Sequence, residues 1–176
     1  DANMKNMGRL MKSAMAELKD KAIARYIELT GASTLNNDQK YMNYRKALET
    51  NPALKYKNQA LKALSATQNY QAMMLAAEYM DNAETAQAAA NTVLEIATKH
   101  PEFYSAEVKA LLEKVAATVN DGDAVYKRKD IEKFISENKA RESHSIITEL
   151  SAEEKAEGFE LLFDGQNMEA WTGNLE

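Results

Sequence analysis

The chain has 176 residues, 45% of them apolar, with 22 Lys and Arg set against 27 Asp and Glu for a formal net charge of -5. That length suits one domain with its own core plus an appendage, and the acidic balance supplies no cation surplus for phosphates or anionic lipid, which excludes nucleic acid and membrane surfaces as expected partners. The absence of cysteine excludes disulfides, zinc–thiolate sites and thiol nucleophiles together.

The sequence opens on Asp1 with no basic, apolar leader after it, so the native N-terminus is expected upstream. Met4, Met7, Met11 and Met15 follow at helical spacing. Core filling is the preferred reading of that stripe, and an adaptable partner-binding face the alternative. From Met4 to about Lys139 good helix formers dominate. The expected breaks are "TGAST" at 30 to 34, "NN" at 36 to 37, "TNP" at 50 to 52, "DN" at 81 to 82, "KHP" at 99 to 101 and "NDG" at 120 to 122. Asn51-Pro52 reads as a helix start, with the asparagine capping and proline in the first turn. Tyr41, Tyr44 and Tyr56 cluster in sequence around one turn, either lining a concave surface or packing at an edge. The most apolar stretch, "QAMMLAAEYM" at 71 to 80, is interrupted by Glu78 and falls short of the roughly 20 residues a bilayer demands.

In the next helix Ala86, Ala89, Ala90, Val93, Leu94 and Ala97 recur at steps of three and four, which predicts a small, apolar face for close packing. Val108, Leu111, Leu112, Val115 and Val119 repeat the pattern in a half-buried helix. Superposing "NPALKYKNQALKALSAT" on "DNAETAQAAANTVLEIA" sets Asn51 on Asp81, Ala60 on Ala90 and Leu64 on Leu94. A weaker third copy starts at Asp121-Gly122 and puts Phe134 in the apolar place, its polar outer residues suiting an end cap. Antiparallel pairs of this kind resemble HEAT-like repeats, with tetratricopeptide repeats as runner-up.

Chemistry-bearing residues are sparse. His100 precedes Pro101 at a helix end, where the helix dipole favours it, and His144 stands apart in a linker. "NDGD" at 120 to 123 lacks the later oxygen ligands of a calcium loop and reads as a helix–helix turn. "ESHSIITE" places Ser143 and His144 side by side, where adjacent residues point in different directions, so it reads as linker. No catalytic, cofactor-binding or metal-binding residue is assigned.

Beyond residue 139 a polar linker leads to Ser151 and Glu154, a capping box for a brief helix that Gly158 ends. Phe159, Leu161 and Phe163 then alternate as in a strand, and Asp164-Gly165 marks a turn. The stretch from Leu150 to Gly165, with Trp171-Thr172-Gly173 after it, resembles the entry into the 3-keto-disaccharide hydrolase domain family, formerly a domain of unknown function. Members open with a Gly-Phe pair, a Leu-Phe-Asp/Asn-Gly turn and a tryptophan followed by glycine. Gly158, Phe159, Leu162, Phe163, Asp164, Gly165 and Trp171 match that pattern, within about two dozen residues of this chain. The resemblance implies a concanavalin-like β-sandwich of secreted or periplasmic bacterial proteins that act on or bind glycosides, its catalytic groups lying past Glu176. Trp171 would stack on sugar or cover a sandwich edge.

The expectation is therefore an all-α chain: a HEAT-like antiparallel helix-pair superhelix over 1–138, a linker and short helix over 139–157, and over 158–176 a tail that starts a β-sandwich. It would serve as a non-catalytic accessory domain of a bacterial envelope protein, periplasmic or at the cell surface, resembling a 3-keto-glycoside hydrolase. The expected partners are the downstream sandwich and a carbohydrate or a protein, without a membrane span. The alternative is a protein- or peptide-binding helical scaffold joined to a non-catalytic carbohydrate-binding sandwich.

Overall fold

The structure is a computed structural model and describes residues 2–13, 15–140 and 150–159. Those residues are all-α: α1 (Ala2–Leu10), α2 (Ala16–Ala32), α3 (Asn37–Glu49), α4 (Leu54–Leu64), α5 (Tyr70–Glu78), α6 (Ala86–Lys99), α7 (Ala106–Thr118), α8 (Ala124–Asn138) and α9 (Ala152–Ala156). Short 3-10 turns follow α4, α5 and α6 at Ser65–Thr67, Tyr79–Asp81 and Pro101–Phe103. Among the described residues no helix is long and apolar enough to cross a membrane. The chain divides into two units, Asp1–Asn138 and Lys139–Glu176.

In the first unit α2, α4, α6 and α8 lie side by side in that order, while α3, α5 and α7 return between them and α1 packs on α2. The alternation follows from short turns, because a helix that reverses after a few residues has only its predecessor's flank to bury against. Polar residues set the reversals. Asn36 accepts from the Gln39 amide at 2.9 Å while Gln39 reaches back to the Asn36 amide, so α3 opens on a reciprocal box. Asn69 accepts from Ala72 at 2.8 Å to open α5, and Ser105 accepts from Val108 at 3.3 Å to open α7.

Three local expectations are corrected. Asn51 does not start α4. Its backbone is left-handed at φ 49° and its amide bonds the Leu48 carbonyl at 2.9 Å, so it closes α3 instead. Asparagine is among the few side chains that tolerate this conformation, and α4 begins three residues later, at Leu54, without a side-chain cap. The Met stripe is broken by a turn after Leu10, so Met11 is buried while Met15 stands in front of α2, 68% exposed. Gln68-Asn69 is a break that the helix-forming composition hid; Gln68 turns left-handed at φ 51° there. The capping asparagine was its one visible signal.

The core is built on α6, where Ala89, Ala90, Val93, Ile96 and Ala97 are all essentially inaccessible. They meet Ala60, Leu61 and Leu64 of α4 on one side and Ala72, Met73 and Ala76 of α5 on another, all fully buried. The four positions matched as repeats, Ala60 with Ala90 and Leu64 with Leu94, are all buried. A polar bond fixes the α4–α6 seam. The Ser65 amide turns to Lys62 and Ala63, and the hydroxyl of buried Thr92 shares its proton between the Leu61 carbonyl of α4 at 2.8 Å and the Ala88 carbonyl of its own helix at 3.0 Å. Satisfying a buried carbonyl matters more than the net strength of one bond, since the unpaired group retains its full desolvation penalty.

Replacing Thr92 by valine should therefore destabilise the unit by about 1–3 kcal/mol, and Thr92→Ser, which keeps the hydroxyl, should recover much of the loss. Urea unfolding of the three proteins checks this, and equal stability of the valine and serine variants would remove the bond as the cause. Asn51→Gly should leave the melting temperature within a few degrees or raise it, whereas Asn51→Val should lower stability by roughly 1–2 kcal/mol because a β-branched residue is strained at positive φ.

Candidate functional site

Of the residues that carry the family resemblance, two are described. α9 opens on the expected capping box, Ser151 accepting from the Glu154 amide at 3.2 Å and donating its own amide to the Glu154 carboxylate at 2.8 Å. That backbone bond holds the Glu154 carboxyl below its ordinary range. The helix then closes on Gly158 at φ 86°, with the Gly158 amide bonded to Lys155 at 3.2 Å and the Phe159 amide to Glu154 at 3.0 Å. This pair of crossing bonds needs a left-handed residue, which glycine adopts without strain. Phe159 is 59% exposed. Leu162, Phe163, Asp164, Gly165 and Trp171 lie outside the described residues, as do the strand expected from Leu161 onward and the linker with Ser143 and His144.

The first unit offers grooves between neighbouring helices. One, of about 370 Å³, runs between α3 and α5 and is lined by Tyr41, Tyr70 and Tyr79 with Arg45, Glu49 and Gln71 among the polar groups. Arg45 and Glu49 are ion-paired at 2.9 Å, one turn apart, and Tyr70 meets Phe103 edge-on with ring centroids 5.5 Å apart. Burial, helped by Glu78 and Glu49, pushes the Tyr79 phenol above its ordinary value, so it stays a neutral donor. Half-buried phenol rings beside planar charged and amide groups can hold a flat, polyhydroxylated or peptidic ligand.

The tyrosines anticipated from the sequence do not share this surface. Tyr41 lines it, but Tyr44 is a core residue at 2% exposure and Tyr56 packs half-buried against the core. Tyr70 and Tyr79 escaped notice because only folding brings α5 beside α3. A second groove, about 520 Å³, lies between α6 and α8 and mixes Glu95, Asp130 and Glu137 with Lys127, Lys133 and the half-buried ring of Phe134. Phe134 also meets Tyr104 edge-on at 5.8 Å.

The "NDGD" segment forms the α7–α8 turn. Asp121 accepts from Gln87 at 2.9 Å and from Lys127, whose ammonium also bonds Asn91 at 2.8 Å, so the turn is tied to α6 and α8 together. The other Asp121 oxygen is buried without a protein partner. The Lys127 ammonium, ahead of the bond from Asn91, holds the Asp121 carboxyl below its ordinary range. His100 follows the last residue of α6, stacks on Phe103 at 4.8 Å and bonds Glu102 at 2.6 Å, a helix-end arrangement. Among the described residues no group of three His, Cys, Asp or Glu is placed to hold a metal ion.

Comparison with protein-family models, with curated proteins and with solved structures finds no match to this chain.

Because the folded pKa of Asp121 is depressed, its contribution to stability is fully present above the ordinary aspartate value of 3.8 and is lost as the pH falls through the lower folded value. Asp121→Asn should lower the melting temperature at neutral pH, and the two proteins should converge as the pH drops below 3.8. A difference that stays constant down the acid limb would mean that the Lys127 pairing is not responsible.

Proposed function

We propose that this chain is the helical accessory region of a bacterial envelope protein whose following β-sandwich acts on 3-keto-glycosides. Its first unit would be a HEAT-like stack of helix pairs, and its own part in the reaction non-catalytic. The observation that carries the reading is the tail pattern, with Gly158-Phe159, Leu162-Phe163-Asp164-Gly165 and Trp171 at the spacing of a 3-keto-disaccharide hydrolase domain. The cap at Ser151 and the left-handed Gly158, which ends the short helix just ahead of Phe159, are compatible with it. Stacked helix pairs with open grooves support the accessory role, since such arrays work by presenting surface. Export to the periplasm or cell surface follows from the same resemblance.

The tyrosine-lined groove favours a second reading, in which the helices bind a peptide or sugar and the sandwich is a carbohydrate-binding module without catalysis. Turnover separates the two. The full-length parent should cleave 3-keto-glucosides and leave their unoxidised counterparts alone, while this chain by itself is silent. A parent that binds but does not turn over either sugar would sink the hydrolase reading in favour of the binding module, and turnover by this chain alone would sink both.

A further inference from the structure

We propose that the groove between α1 and α3 binds an acidic polysaccharide, its carboxylate or sulfate groups held by Lys5, Arg9, Lys12 and Lys46. That the anion is carried on a glycan rests on the function proposed above; that the ligand is anionic rests on the groove alone.

Between Ala2 and Ala16 the chain carries three cations and no carboxylate, in a protein whose net charge is -5. Lys5, Arg9 and Lys12 follow at steps of four and three, which puts them on one flank of the helix and the turn after it. The adjoining face, with Met4, Met7 and Met11, is packed against the core, so the helix is fixed with its basic flank outward. Lys46 arrives from α3. Its ammonium lies 5.8 Å from the centre of the Tyr26 ring and passes over Gly8, where a Cβ would come to 3.4 Å from it. The four cations thus surround a groove of about 450 Å³ that Met4, Gly8 and Tyr26 also line, and among the described residues no carboxylate lines it.

Elsewhere in the unit several cations are matched with acids, Lys21 with Glu17, Arg25 with Glu28, Arg45 with Glu49, Lys99 with Glu95 and Lys114 with Asp81, while others such as Lys19, Lys40 and Arg128 bond backbone carbonyls. None of the four groove cations has a carboxylate partner among the described residues. A solvated basic face would account for one flank of α1. The fourth ammonium is held over the Tyr26 ring and Gly8 from another helix, which adds its charge to the same hollow, where like charges repel until an anion enters.

The spacing selects the kind of polyanion. Lys5 and Arg9 stand one turn apart on α1, about 6 Å at 1.5 Å per residue, a separation suited to acidic groups on successive rings of a polysaccharide. Duplex nucleic acid carries a charge about every 1.7 Å, and a long run of such charges would meet the acidic remainder of the protein. The groove also continues past Gly8, Lys12 and Lys46 into a hollow of about 640 Å³ with Met42, Asn43 and Thr50, where the one carboxylate, Glu49, is paired with Arg45 at 2.9 Å.

Titration calorimetry of this chain at low salt, with oligogalacturonate in one arm and heparin oligosaccharide in another, tests the assignment, and the arm that binds more tightly identifies the acid. Binding should weaken steeply with salt and by about tenfold or more in Arg9→Gln/Lys46→Gln, while Lys129→Gln on α8 should leave it unchanged. Circular dichroism checks that the variants fold. Absence of binding in both arms, full binding by the double variant, or equally tight binding of poly-L-glutamate or a DNA oligonucleotide would overturn the proposal. Glycan binding with an inactive parent would remove the hydrolase reading and leave this site; an active parent with no glycan binding here would remove this site alone.

Discussion

The burial of α6 on several sides at once is the constraint on which the first unit depends. A helix that meets α4, α5, α7 and α8 can bring them all close only if its own side chains are short. The run from Ala86 to Ala97 supplies five alanines, with valine, leucine and isoleucine filling what remains. Close-packed interiors leave little room for adjustment, so the positions of neighbouring helices follow from which of its residues are small. Thr92 adds direction to that packing, since its hydroxyl reaches one α4 carbonyl as well as a carbonyl of its own helix.

The same stacking creates the grooves of the first unit, which open between α3 and α5, between α6 and α8, and between α1 and α3. Their chemistries differ: phenol rings with an ion pair, mixed charge around one ring, and four cations. The net charge of the chain concealed the last of these. A sum over all residues cannot register that the acids are paired or face elsewhere while one hollow is left uniformly positive.

How much of these sites the sequence disclosed depended on whether their residues are neighbours in the chain. The cap at Ser151 and the stop at Gly158 are local devices, fixed by bonds across three to five residues, and each was legible; the turn at Asp121 was legible too, although Gln87 of α6 also holds it. The tyrosine groove was not, because Tyr41 and Tyr70 stand on different helices and the nearer Tyr44 turns into the core. Asn51 was misread for a related reason. Asparagine before proline suits a helix start and a left-handed helix end equally well, and which it becomes depends on how α3 and α4 must be angled to pack.

Composition and periodicity by themselves determined that the described chain is helical, where most helices end and which face of α6 and α7 is buried, since backbone bonding, capping and the 3.6-residue repeat act within a few residues. Only the tertiary structure decided that α6 is enclosed on more than one face, that the Met stripe breaks before Met15, and that Lys46 joins Lys5, Arg9 and Lys12 around one groove. Those outcomes depend on contacts between residues far apart in the chain, and the free energy of such contacts exists only once the helices have been brought together.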